Sequence, residues 1–115
     1  LEVLEGNIVR IVLKKEQEIG ADVARAMFEY LQEINLIPFK TMVITEEDVL
    51  ILPSAREWMS DPSRVSRSSA DAFVVDSLPK RLIINFYIKH NKPTVPSRTF
   101  SSEEKALAWL RSQEF

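Results

Sequence analysis

Residues 70–93 read ADAFVVDSLPKRLIINFYIKHNKP, and the punctuation of this stretch decides the fold class. Ala70–Asp76 is short, apolar and rich in β-favouring residues, the pattern of a strand covered on both faces. Ser77 and Pro79 then open a helix, because proline's fixed φ and missing N–H suit a first helical turn. That helix is expected to run from Leu78 to about His90, to stop at Asn91 and to be followed by Pro93. A buried strand feeding directly into a helix is half of a βα unit, and such units build parallel sheets through crossovers.

The same alternation continues on both sides of this stretch. Toward the C-terminus, Arg98–Phe100 reads as a short strand. Ser101 and Glu104 have capping-box spacing for a closing helix that buries Ala106, Leu107 and Leu110 and uses Trp109 structurally. Toward the N-terminus, Ser54 and Glu57 have the same spacing and predict a helix start there. Asp61 and Pro62 predict a second helical piece reaching about Ser69. Phe39–Ile44 is a strand. Val49–Leu52, beyond the break at Thr45–Asp48, is compatible with a strand or a covering loop. Between Gly20 and Asn35, apolar residues at Val23, Ala26, Met27, Tyr30, Leu31 and Ile34 recur at spacings of three and four, which predicts an amphipathic helix. Leu1–Leu4 and Ile8–Leu13, separated by Glu5, Gly6 and Asn7, predict an opening hairpin. The expected fold is α/β: a single mixed sheet of four to five strands, with the hairpin as its antiparallel edge, covered by about four helices.

Composition bounds the function. At 115 residues one domain spanning 1–115 is expected, and 45% apolar with 28% charged residues is the balance of a chain that can form a core. With no cysteine there is no disulfide framework, thiolate metal site or thiol nucleophile. No apolar run approaches the ~20 residues of a membrane span, so no stable membrane insertion and a cytoplasmic location are expected. The chain opens on Leu1 rather than methionine, as expected where a tag or short natural segment has been removed. Residues 53–100 are mildly basic inside a chain of net charge −2. A nucleic-acid partner is not expected, since each neutralised phosphate needs its own cation and no dense basic stripe exists.

A family pattern lies in Ala70-Asp71-Ala72-Phe73-Val74-Val75-Asp76-Ser77, then Arg81-Leu82, Asn85-Phe86, Asn91-Lys92-Pro93, Pro96, Arg98, Phe100 and Ala106–Leu110. It resembles bacterial STAS-like proteins, relatives of the anti-sigma-factor antagonist fold, most of them without an assigned function. The likeness covers about residues 7–113 in element order and 70–110 in residue pattern. In the signalling members a phosphorylatable serine opens the second helix in an Asp-Ser-Ser/Thr-Gly context. Element order places Ser54 at that position, flanked here by Pro53 and Ala55.

Candidate chemistry is sparse. Arg56, Arg64 and Arg67, with Ser54, form the best possible phosphorylation or anion site, because arginine's forked donors suit phosphate and helix N-termini add backbone donors. An exposed helix face explains the same residues. His90, the only histidine, fits a cation at a helix C-terminus better than a catalytic base. Glu46, Glu47 and Asp48 fit a solvated turn better than a cation site, as do Glu103 and Glu104 a helix first turn. With glycine only at positions 6 and 20, there is no glycine-rich phosphate loop. No metal and no cofactor is expected.

The helix at 78–90 leaves little polar circumference. Ile84, Tyr87 and Ile88 are therefore expected to form a possible interface, as in a homodimer, unless a neighbouring part of the chain covers them. The expected function is a non-enzymatic regulatory or protein-interaction domain of STAS-like type. The alternative is a carrier or sensor of a small hydrophobic or lipid-like ligand.

Overall fold

The opening hairpin is set by its turn. Gly6 and Asn7 hold φ of +84° and +56°, a region open to glycine and next most tolerated by asparagine. They reverse β1 (Glu2–Leu4) antiparallel onto β2 (Ile8–Leu13), with Leu4 opposite Ile8. A computed structural model describes residues 1–34, 38–59, 68–90 and 95–113. After the hairpin come β3 (Glu18–Ile19), α1 (Ala21–Glu33), β4 (Phe39–Thr45), β5 (Leu50–Ile51) and α2 (Pro53–Met59). Then follow β6 (Ser68–Val74), α3 (Leu78–His90), β7 (Ser97–Phe100) and α4 (Glu103–Ser112).

Five strands form one mixed sheet in the order β1-β2-β4-β6-β7, antiparallel only at the β1–β2 hairpin. The α/β class, the mixed sheet and the four helices are as the sequence predicts. The run at 49–52 resolves as a strand, but of a second, two-stranded sheet: Leu50 and Ile51 pair in parallel with Glu18 and Ile19. β6 begins at Ser68, two residues before the predicted start. The helical piece predicted through Ser69 is therefore corrected at its end; its remainder, 61–67, lies outside the described residues.

Alternation along β4 explains the layers. Phe39 and Val43 point to one face, and Met42 and Ile44 to the other. The first face packs against α1, α2 and α3 through Phe28, Leu31, Ala55, Ile84 and Tyr87. Among the described residues the second is covered by α4, with Ala70 and Ala72 of β6 meeting Ala106 and Leu110. Alanines on both sides bring helix and sheet close together.

Two helix details differ from expectation. The buried face of α1 is Ala24, Phe28 and Leu31, while Val23, Tyr30 and Ile34 are exposed and Met27 is half-buried. The cap of α4 is Ser102, whose Oγ accepts from the Lys105 N–H at 3.3 Å, one residue later than Ser101. Ala106 and Leu110 are buried as predicted, and Leu107 and Trp109 pack partly buried at the rim.

Candidate interaction surface

The carboxyl ends of the parallel strands are where open α/β sheets usually bind ligands. Here that edge carries an open hollow of about 380 Å³ lined by Lys15, Glu46, Glu47 and Asp76, whose rim the chain braces with its own contacts. Lys80, in the first turn of α3, donates to the Glu46 carbonyl at 2.6 Å, the Thr45 carbonyl at 3.4 Å and Asp76 Oδ1 at 3.0 Å. Glu46 Oε1 accepts from the Lys15 N–H at 2.9 Å, and Glu47 lies 3.8 Å from the Lys15 ammonium. The acidic turn is thus a braced connection, with Asp48 at φ +57° completing it. Among the described residues no group of acidic or histidine side chains is arranged to hold a metal ion.

The proposed anion residues are only partly within view. Pro53, not Ser54, takes the first helical position of α2, and the Leu52 carbonyl accepts from the Ala55 and Arg56 N–H groups. Ser54 is therefore not the cap that its spacing with Glu57 predicts. Its Oγ instead accepts from the Ala21 N–H at 3.3 Å, joining the starts of α1 and α2. A Cβ at Gly20 would sit 3.1 Å from Asp22 Oδ1 and 3.7 Å from Ser54 Oγ, so this corner is tight. Ser54 is exposed and Arg56 half-buried, and Arg64 and Arg67 lie outside the described residues.

Beneath α1, a cavity of about 50 Å³ is lined by Ile11, Met27, Phe28, Leu31, Val43 and Phe73, among others. Its wall is almost wholly apolar, and it is part of the packed interior. Nearby, Thr41 Oγ1 donates to the fully buried Asp71 at 2.6 Å, tying β4 to β6.

Among the described residues, the outer side of α3 carries the most exposed group of large apolar side chains. Ile84 and Tyr87 are 4% and 1% exposed, and Ile88 packs partly buried beside them on the sheet face. These three predicted interface residues thus belong to the chain's own core. The apolar residues left uncovered are Leu78 at 65%, Leu82 at 60%, Ile83 at 47% and Phe86 at 54% exposed. Leu78, Leu82 and Phe86 follow one another at four-residue spacing and so form one stripe. His90 continues the stripe by stacking on Phe86 with ring centroids 4.0 Å apart. The signal was present in the sequence: two apolar stripes run along this helix, and only one can face the sheet.

Residues 2–114 match a family described as a domain of unknown function, DUF7793. The chain belongs to this family. No curated protein and no solved structure matches it. For this DUF7793 member the exposed stripe of α3 is thus the main guide to function. No helix among the described residues is long and apolar enough to cross a membrane.

Proposed function

We propose that this chain is a non-enzymatic protein-interaction domain of STAS-like type, and that it docks through the outer face of α3. The carrying observation is the stripe Leu78, Leu82 and Phe86 with Ile83 beside it. Large apolar side chains grouped on one helix face in water mark a contact surface, whereas scattered ones do not. The order of strands and helices, with an antiparallel first strand and successive βα units, agrees with the STAS-like resemblance of residues 70–110. The reading as a carrier of a hydrophobic ligand is less well supported, because a cavity of about 50 Å³ is far below the ~300–1,000 Å³ of small-molecule pockets.

The test places a photo-crosslinking residue at position 82 and, as a control, at the exposed position 111, in cells of the source organism. Protein adducts specific to position 82 are expected. In parallel, Leu82→Ser with Phe86→Ser should leave the melting temperature almost unchanged. A large loss of stability, or equal adducts at both positions, would remove the reading. A lipid retained in native mass spectrometry would favour the carrier.

A further inference from the structure

We propose that the outer face of α3 receives the exposed flank of α1 from a second copy of this chain, in a head-to-tail contact. This rests on the interaction-domain reading and names its partner. On α1 and its C-terminal cap, Val23, Met27, Tyr30 and Ile34 fall at i, i+4, i+7 and i+11 and form one apolar stripe. Val23, Tyr30 and Ile34 are 40%, 51% and 43% exposed. Contact with α2 lies elsewhere on the helix, where Phe28 meets Trp58 edge-on at 5.1 Å, so the stripe stays open. Asp22, Glu29 and Glu33 run along its outer margin, where Arg25, at i+3 from Asp22 and i−4 from Glu29, is one cation beside three carboxylates.

The charges on α3 are the opposite. Between Leu78 and His90 there is no carboxylate, and Arg81 and Lys89 are exposed beside the apolar stripe. Pairing α3 with α3 brings cations against cations, and pairing α1 with α1 brings carboxylates together. Like charges facing across an interface disfavour both. Only α1 against α3 joins an apolar stripe with an acidic margin to one with a basic margin. The two helices lie on the same face of the sheet, α1 in the crossover from β2 to β4 and α3 in that from β6 to β7. Each copy therefore offers both halves of the contact, which extends to a ring or an open chain.

Sedimentation velocity of the full chain, over concentrations up to millimolar and at low and high salt, tests the proposal. Wild type should associate with rising concentration and dissociate as salt screens the margins. Val23→Ser with Tyr30→Ser disables one half, and Leu82→Ser with Phe86→Ser the other. Each variant alone should be monomeric, and an equal mixture should form a dimer and nothing larger. Arg81→Glu with Lys89→Glu should weaken association about tenfold at low salt. Adding Glu29→Lys and Glu33→Lys to the same chain should restore it. A wild type that stays monomeric overturns the proposal, as does a Val23→Ser, Tyr30→Ser chain that still dimerises, which would show two-fold pairing of α3. Capture of a monomeric chain on anionic phospholipid vesicles would assign the face to lipid and also overturn it. Circular dichroism separates the two levels: an unfolded Leu82→Ser, Phe86→Ser chain ends the interaction-domain reading, while a folded one beside a monomeric wild type ends only the present proposal.

Discussion

Lys40 sits in the central strand with 4% exposure, an unusual place for an ammonium group. Its Nζ donates to the Leu110 carbonyl at 2.7 Å and to the Gln113 carbonyl, at the C-terminal end of α4. Carbonyls there lack helical partners and carry the negative end of the helix dipole, so a cation is favoured. Lys40→Met keeps the apolar stem and removes the charge. It should lower stability by about 1–3 kcal/mol in urea titration and speed amide exchange in the last turn of α4. An unchanged midpoint would mean that α4 is held without the help of this ammonium. At the other end of α4, Arg10 on β2 and Glu103 form a two-pronged pair at 2.7 and 3.3 Å. The hydrogen bond from Arg10 holds the Glu103 carboxyl below its ordinary value, against a smaller opposing effect of burial. Because that pKa is depressed on folding, the pair's stabilisation is present above the ordinary glutamate value of 4.5 and is lost as pH falls below it. Both side chains are substantially exposed, so the effect is roughly 0.2–1 kcal/mol. Glu103→Gln should flatten the stability curve below that pH and leave its shape at neutral pH unchanged. Equal acid slopes in wild type and variant would exclude the coupling. Trp109 is half-buried against Phe100 at 5.5 Å, so Trp109→Ala should cost about 2 kcal/mol rather than the ~3–5 of a fully buried ring.

Helix α3 shows why a stripe's position matters more than its composition. Ile84→Ala should cost about 2–4 kcal/mol, since the residue is in the core, whereas Leu82→Ser two residues earlier should fall within about 0.5 kcal/mol of wild type. Denaturant midpoints of the two variants check this directly, and similar losses would mean that the helix is turned differently on the sheet. The same ambiguity limited what could be read from the chain. Strong punctuation made the bounds of α3 and of the hairpin legible: Ser77 and Pro79 before the helix, Gly6 and Asn7 in the turn. The buried arc of α1 was not legible, because Val23, Met27, Tyr30 and Ile34 make as regular a stripe as Ala24, Phe28 and Leu31. Both have helical period, and only the sheet decides between them. Strand β3 was missed because two residues cannot display a period. The capping role of Ser54 failed for a local reason: Pro53 is itself a favoured first helical residue and moves the start of α2 back by one. The candidate surface was half legible: the surplus of apolar residues on α3 was visible, but the arc left in solvent was not.

At the scale of the molecule, β4 is the joint between the two packed layers. It hydrogen-bonds β2 on one side and β6 on the other, and six of its seven residues are buried. Its Phe39 and Val43 belong to the three-helix face, while Met42 faces α4. Opening β4 therefore breaks both layers at once, so its amides should exchange only by global unfolding. The ribbon of β3 and β5 is different. It has two residues in each strand, Glu18 and Leu50 are exposed, and only Ile19 and Ile51 anchor it to the core. Few apolar contacts and short pairing permit opening without loss of the sheet. β1 is similar, since it is an edge strand whose Val3 is 45% exposed. Native-state hydrogen exchange should show this order: amides at 40–44 slowest, with a denaturant dependence matching global unfolding, and those at 18–19 and 50–52 faster and nearly independent of denaturant. Addition of Ile51→Ala should speed the ribbon by roughly the tenfold per 1.4 kcal/mol that local destabilisation implies, leaving β4 less affected. If ribbon and β4 amides instead share one rate and one denaturant slope, the ribbon is integral to the cooperative core.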